Sequence, residues 1–166
     1  MNKEPNRIAV IMGSKSDEEK MLPAIKFLQD VKVPFEVRIA SAHRTPELLK
    51  QIVENPTFSI FIAGAGMAAA LPGCIAALTT KPVIGVPLSS KYGLEDSLLS
   101  IIQMPPGIPV LTVGIDAAKN AAIAACQLLA MNNEKLSEKL QAIRDVASSK
   151  VYEDDQAITF KYLETP

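Results

Sequence analysis

Arg7-Ile-Ala-Val-Ile-Met-Gly-Ser-Lys-Ser-Asp17 is the stretch that decides the fold of this chain. Its first six residues form an apolar, β-branched run typical of a buried strand. The segment 18–30 that follows has its apolar side chains at helical spacing. A strand that enters a helix through a short polar loop is the repeating unit of a parallel α/β sheet.

The same alternation continues along the 166 residues. Further strands are predicted over 35–40, 59–63, 83–86 and 110–115, and further helices over 46–53, 67–78, 94–103 and 117–131. Nearly unbroken apolar strands indicate a parallel sheet covered on both faces. Because crossovers are almost always right-handed, we expect a doubly wound, three-layer α/β/α sandwich over residues 1–132, within a single domain.

Residues 133–166 differ from the rest of the chain. They are charged, no predicted strand follows them, and Leu136, Leu140, Ile143 and Ala147 form a narrow apolar stripe at helical spacing. The sequence predicts a helical tail. It either packs back on its own subunit or lies as an oligomerisation arm on a neighbouring one, and the spacing leaves both alternatives open.

Charge and composition restrict the function. The formal net charge of -1 provides no basic field of the kind that nucleic acids or anionic membranes attract, so neither is an expected partner. The polar N-terminal residues do not resemble a signal peptide, and no apolar run reaches the length of a membrane span. Cys74 and Cys126 lie in aliphatic runs, as reduced core thiols do. We expect a soluble, cytoplasmic protein.

The loops after the predicted strands are the candidate site, because ligands bind outside the carboxyl ends of open parallel sheets. These loops are residues 13–17, 41–46, 64–73 and 87–90. The first enters a helix, so its backbone N–H groups and hydroxyls are suited to holding a phosphate. N-capping by Ser14 or Asp17 explains the same residues equally well. The loop lacks the Gly-Lys-Ser/Thr ending that typifies nucleoside triphosphate sites.

The second loop, Ser41-Ala-His-Arg-Thr-Pro46, holds the only histidine of the chain. Histidine is the side chain whose ordinary pKa, about 6.5, lies closest to physiological pH. A lone histidine is commonly structural, but a strand-end loop and the neighbouring Arg44 favour a proton carrier beside an anion-binding cation. Ser41 is not expected to form a catalytic triad, because no Gly-x-Ser-x-Gly elbow is present. One histidine and two separate cysteines also argue against a structural zinc site.

The third loop begins Gly64-Ala-Gly-Met-Ala-Ala69 and formally matches the dinucleotide-binding pattern G-x-G-x-x-G/A. It follows the third predicted strand rather than the first, and no acidic residue stands about 20 positions later to bind a ribose. We interpret Gly64 and Gly66 instead as positions where backbone amides approach a small substrate.

Several motifs taken together resemble one enzyme family. They are Met12–Asp17, Ser41–Pro46, Gly64–Ala69, Leu71–Gly73, Pro82–Pro87, Asp96–Pro105 and Lys119–Ala121. In this order they resemble the N5-carboxyaminoimidazole ribonucleotide mutases (PurE type) of purine biosynthesis, from about residue 7 to about residue 131. The resemblance implies a flavodoxin-like fold, a small ribonucleotide substrate and a homo-octamer with active sites where subunits meet. It implies no metal or organic cofactor.

The resemblance also implies roles for individual residues. His43 matches the general acid and base of the family. Two pairs match positions that bind the substrate and its phosphate, Ser14 with Asp17 and Ser41 with Arg44. Three residues match the loop that lies against the transferred carboxylate or carbon dioxide: Gly64, Ala65 and Gly66.

Two departures from the family pattern leave alternatives open. Ala70 stands where most bacterial mutases have a second histidine, and the loop over 89–96 is shorter than usual. The chain is expected to move a carboxylate from an exocyclic nitrogen to ring carbon 4. The alternative is a carboxylase that adds carbon dioxide to aminoimidazole ribonucleotide directly, although the Arg-Ser-Asn pattern of such enzymes is absent. A flavin- or nucleotide-binding module and a non-catalytic family member are the remaining alternatives.

Overall fold

Five parallel strands form one sheet in the computed structural model, which describes residues 7–91 and 95–163. Within these ranges the strands are β1 (Arg7–Met12), β2 (Phe35–Ile39), β3 (Phe58–Ala65), β4 (Val83–Pro87) and β5 (Leu111–Thr112). They lie in the order β2-β1-β3-β4-β5, with every neighbouring pair parallel. This is the flavodoxin-like, doubly wound order. The predicted fold class is confirmed.

Helices cover both faces of this sheet. The described residues form α1 (Glu18–Val31), α2 (Pro46–Val53), α3 (Leu71–Leu78), α4 (Glu95–Ile102), α5 (Ala118–Ala130) and α6 (Glu134–Lys161). One hydrophobic core joins the sheet to α1 and α5, and a second core joins it to α2, α3 and α4. The three layers predicted from the alternation are therefore present.

Strand β1 shows why the sheet has two cores. Ile8 and Val10 face α1 and α5, whereas Ala9 and Ile11 face the opposite helices. Successive side chains of a strand point to opposite faces, and all four residues are fully buried. A continuous apolar run is thus what a strand covered on both faces requires.

The predicted helix over 67–78 is wrong in its first turn. α3 begins at Leu71, and residues 67–70 form a turn in which Ala68 has a φ of +43°. A left-handed residue does not continue a right-handed helix. Pro72 lies in the first turn of α3, where its missing N–H costs nothing. A run of alanines had suggested helix, but the turn and the proline place the start four residues later.

The other boundaries agree closely, with one exception. The strand predicted over 110–115 pairs with β4 only at Leu111 and Thr112. Residue 94, the predicted start of the helix before it, lies outside the described residues. So do residues 92–94 of the loop interpreted as shortened and the polar N-terminal residues 1–6.

The C-terminal helix packs on its own subunit through its first turns only. Leu136 is buried in the core formed with α1 and α5, and Leu140 is partly buried against it. Ile143 is 38% exposed and Ala147 is also exposed, so the apolar stripe leaves the core after about two turns. Although α6 is 28 residues long, neither it nor any other helix in the two described ranges is apolar enough to cross a membrane.

Candidate functional site

A cavity of about 750 Å³ opens at the carboxyl ends of β1, β2, β3 and β4. Its wall is drawn from residues 13–20, 41–44, 65–71 and 89–91. Between β1 and β3 the order of the strands reverses, and doubly wound sheets bind their ligands at such a switch point. The cavity therefore lies where the topology favours a ligand.

Seven of the residues predicted from the sequence line this cavity: Ser14, Asp17, Ser41, His43, Arg44, Ala65 and Gly66. Gly64 does not. A Cβ on Gly64 would overlap the Sδ atom of Met21, which is fully buried on α1. Gly64 thus allows α1 to pack closely on β3, and the close approach that we predicted there is to a core side chain.

The loop after β1 combines capping with exposure to the cavity. The backbone N–H of Ser16 donates to Ser14 Oγ at 3.3 Å, and the backbone N–H of Ser14 donates to Asp17 Oδ2 at 3.0 Å. Burial raises the pKa of Asp17 above its ordinary value of 3.8, against the lowering effects of the Ser14 N–H, Lys20 and Arg44. The N-capping that the sequence predicts for this loop is therefore present in the structure. The same hydrogen bonds fix the partly desolvated Asp17 carboxylate in the cavity wall.

The loop after β2 is joined to the loop after β1 by one guanidinium. Arg44 donates from Nη2 to Gly13 O at 3.0 Å and from Nε to Ser41 Oγ at 3.3 Å. His43, next to it, is exposed and lines the cavity, and no described residue forms a hydrogen bond with its imidazole. The ring is therefore accessible to a ligand.

The loop after β3 is anchored by a side chain that the sequence did not single out. The backbone N–H of Ala68 donates to Asp96 Oδ2 at 3.1 Å, and the N–H of Ala70 donates to Ala68 O at 2.6 Å. Asp96 lies in the first turn of α4. It holds the left-handed turn that carries Met67 and Ala70 into the cavity wall.

Two further cavity residues, Lys20 and Ser89, were missed as site residues. The Lys20 ammonium donates to the backbone O of Ser89 and, at 2.5 Å, to its Oγ. The signal for Lys20 was its place one helical turn after Asp17, because residues three apart share a helix face. Ser89 follows β4, in a loop that we identified as a whole without assigning a role to this residue.

Asp116 supports Ser89 from outside the cavity. Its carboxylate accepts the Ser89 N–H at Oδ1 (2.9 Å) and the Ser89 hydroxyl at Oδ2 (2.5 Å). The Lys20 ammonium lies 3.8 Å from Asp116 Oδ1. Partial burial raises the pKa of Asp116, but the Ser89 hydrogen bonds and Lys20 outweigh it, so that the pKa lies below its ordinary value. Asp116 is therefore held as a carboxylate.

The cavity wall is positively charged although the chain as a whole is not. Its ionised side chains are three cations, Lys20, Arg44 and Lys91, and one carboxylate, Asp17. The net charge of the whole chain is -1. An anionic ligand is thus met by local charges rather than by a field of the whole protein.

Comparison with known proteins identifies the family. The sequence model described as AIR carboxylase matches residues 7–150. The chain belongs to the AIR carboxylase family. A relative from Methanocaldococcus jannaschii is 52% identical over 151 residues, which are 91% of this chain and 96% of that protein. One from Synechocystis is 50% identical over 155 residues, covering 90% and 87% of the two chains. Both are named N5-carboxyaminoimidazole ribonucleotide mutase.

Solved structures agree with this assignment at the level of fold. A PurE2 variant from Treponema denticola superposes with a TM-score of 0.82 at 24% identity, and a PurE from the same organism with 0.79 at 23%. Each match covers 92% of this chain and 98% of the other. The family predicted from the sequence motifs is confirmed, and its fold is the one described above.

Proposed function

We propose that this AIR carboxylase family member is an enzyme of purine biosynthesis that converts N5-carboxyaminoimidazole ribonucleotide to 4-carboxy-5-aminoimidazole ribonucleotide. One observation carries the proposal. The accessible His43 imidazole shares one cavity with Arg44 and with Ala65 and Gly66 at the end of β3. It does so in a chain about 50% identical to proteins named as mutases of this substrate.

The first two loops bind the phosphate and the ribose. Arg44 presents the planar, permanently charged group that suits phosphate, and the hydroxyls of Ser14 and Ser41 lie in the same wall. Asp17 accepts hydrogen bonds from the ribose hydroxyls. Contacts remote from the reacting carbon fix its position, which is how binding energy serves the chemical step.

The reaction breaks one bond to the carboxyl carbon and forms another. The carbamate C–N bond breaks, its electron pair stays on nitrogen, and His43 in its protonated form delivers a proton there. Ring carbon 4 then attacks the released carbon dioxide, which Ala65 and Gly66 hold in the cavity. The neutral imidazole finally removes the proton from carbon 4, which restores the aromatic ring and the protonated histidine.

Confinement and proton transfer are the two sources of rate in this scheme. Holding carbon dioxide beside carbon 4 makes the second step effectively intramolecular, and well-oriented partners reach effective molarities of about 10⁵ M or more. General acid–base catalysis by the imidazole contributes roughly 10²- to 10⁴-fold.

One assay separates this function from its alternative. The purified chain is given the carbamate substrate with a ¹³C-labelled carboxylate in unlabelled bicarbonate, or aminoimidazole ribonucleotide with bicarbonate alone, and product is followed by absorbance and mass. We expect faster turnover of the carbamate, with the label retained. Faster product formation from aminoimidazole ribonucleotide establishes the carboxylase, an alternative that Ala70 in the cavity wall keeps relevant. Binding without turnover of either substrate contradicts both.

The C-terminal arm is part of the proposal. We infer a homo-octamer in which residues 133–166 reach a neighbouring subunit and the active sites lie at interfaces. Large apolar side chains of α6 beyond the core support a contact with another copy, being 62–81% exposed: Val146, Val151, Tyr152, Ile158 and Phe160. The number eight rests on the family resemblance. Sedimentation of the full chain and of a chain ending at residue 144 measures the number of subunits in each assembly. An unchanged number of subunits contradicts an oligomerisation role for residues 145–166.

The state of the two cysteines favours a reducing compartment for this enzyme. Both cysteines, Cys74 and Cys126, are free, and burial raises the pKa of the Cys126 thiol to about 11, which keeps it protonated and unreactive. Free thiols of this kind support a cytoplasmic location. Localisation of a tagged full chain tests this assignment.

A further inference from the structure

The cavity has cations at its two ends. Arg44 belongs to the loop after β2, whereas the Lys20 ammonium is bound to Ser89 in the loop after β4. The Arg44 guanidinium reaches Gly13 O at the end of β1, and in the order β1-β3-β4 neighbouring strands lie about 4.8 Å apart, so the groups that the two cations bind are about 10 Å apart. A ligand that extends across the cavity therefore meets Arg44 at one end and Lys20 at the other.

The Lys20 ammonium retains a donor for such a ligand. An ammonium group has three N–H donors, and Ser89 accepts two of them, at its backbone O and at Oγ. Asp116 Oδ1, at 3.8 Å, is too distant for a hydrogen bond. Because Lys20 lines the cavity and its side chain is 36% exposed, the third donor is available to an anion bound there.

The position of this ammonium is set in advance by Asp116. The carboxylate of Asp116 fixes both the N–H and the hydroxyl of Ser89, and its own backbone N–H donates to Pro87 O at 2.8 Å. Asp116 has a φ of +54°, a left-handed conformation that is costly for a residue other than glycine. A strained residue outside the cavity thus holds Ser89, and Ser89 holds Lys20.

We propose that Lys20 binds the carboxylate of the substrate while Arg44 holds its phosphate. This assignment rests on the proposed function. The substrate carries one anionic group at each end, and the cavity wall places a cation at each end to meet them. The rigid fork of Arg44 suits a phosphate that stays in place. The compact, rotatable ammonium of Lys20 suits a carboxylate that moves from nitrogen to carbon 4.

Two ligands that differ only in the carboxylate test the proposal. Binding of 4-carboxy-5-aminoimidazole ribonucleotide and of aminoimidazole ribonucleotide is measured by titration calorimetry. We expect Lys20→Met to weaken binding of the carboxylated ligand by roughly tenfold to a hundredfold and to leave the other within about twofold. Arg44→Ala weakens both. Lys26→Met, which removes an exposed charge from the same helix outside the cavity, changes neither.

A second variant separates charge from support of the loop. Lys20→Gln keeps a hydrogen-bond donor for Ser89 but removes the charge, and we expect the same selective loss. Equal weakening of both ligands in Lys20→Met and Lys20→Gln overturns the assignment and makes Lys20 a support for residues 88–91. If the unsubstituted chain binds neither ligand, the proposed function itself fails, which the calorimetry shows before any variant is compared.

Discussion

Two cavities of nearly equal volume lie at opposite edges of the sheet, and only one has the chemistry of a site. The cavity at the carboxyl edge measures about 750 Å³, and a second, at the start of β4 and β5, measures about 780 Å³. Aliphatic residues and two threonines dominate the second, within 76–83 and 107–111. Its one ionisable side chain, Lys81, donates to Phe58 O.

The difference follows from the polarity of a parallel sheet. All strands point the same way, so the loops that leave them and the helix N-termini that follow gather at one edge. Polar side chains and backbone N–H groups therefore converge at the carboxyl edge. The amino edge gathers helix C-termini and has no such convergence, so cavity volume alone does not identify the functional end of this fold.

The largest effect expected is on the proton carrier. His43→Asn keeps the shape of the loop and removes the titratable ring, so we expect kcat to fall by roughly 10²- to 10⁴-fold with little change in ligand affinity. Steady-state kinetics and calorimetry on the same preparation measure the two quantities. Turnover near that of the unsubstituted chain contradicts the role of His43 and removes the main contrast between the cavities.

The second test compares one cation from each cavity. Arg44→Ala should raise KM for the phosphorylated substrate by roughly tenfold or more, because a charge-assisted contact is lost. Lys81→Met, at the opposite edge, should leave KM and kcat unchanged. An equal rise in KM for both variants means that the two edges are not functionally distinct. Arg44→Lys keeps the positive charge but loses the forked guanidinium, so its KM should lie between that of the unsubstituted chain and that of Arg44→Ala.

Two neighbouring glycines separate packing from binding. Gly64→Ala forces a methyl group against the fully buried Met21, so we expect a loss of about 1–3 kcal/mol in the free energy of unfolding. Gly66→Ala meets its nearest atom, Leu88 O, at an ordinary 3.7 Å and should keep its stability while ligand binding weakens. Urea unfolding and calorimetry distinguish the two. If Gly66→Ala is the less stable of the pair, the placement of these residues is wrong.

The smallest effects concern two carboxylates, Asp17 in the cavity wall and Asp116 outside it. Burial raises the pKa of Asp17 in the folded chain, so the charged form destabilises the fold at neutral pH and this cost disappears as the pH falls through the raised pKa. The contribution of the Asp116 carboxylate to stability has the opposite sign. Although burial acts to raise its pKa, the Ser89 hydrogen bonds lower it, so its contribution is present above the ordinary value of 3.8 and is lost in acid.

These signs predict opposite shifts in Tm. At about pH 7, Asp17→Asn should melt higher than the unsubstituted chain and Asp116→Asn lower, each by on the order of 1–3 °C because both groups are partly solvated. Both differences should shrink toward about pH 3. Thermal unfolding of the three proteins across this range measures them. A shift of the same sign for both variants contradicts the assigned causes.

Much of the carboxyl edge was predictable from the sequence, because its residues come in short runs directly after apolar strands. His43 and Arg44 are adjacent in such a run, and so are Ala65 and Gly66. Lys20 was not predictable in this way. Its partner Ser89 lies 69 residues away, and only the folded arrangement of the first turn of α1 and the loop after β4 at one edge of the sheet brings the two side chains together.

The sequence by itself determined the alternation of strands and helices, the two-sided burial of the sheet and the family to which its motifs belong, because these depend on the order and periodicity of side chains. Only the tertiary structure decided that Gly64 serves the core, that Asp96 anchors the turn at Ala68, and that Asp116 holds Ser89 beneath Lys20. Each of these depends on a distance between segments far apart in the chain, and no local pattern encodes such a distance.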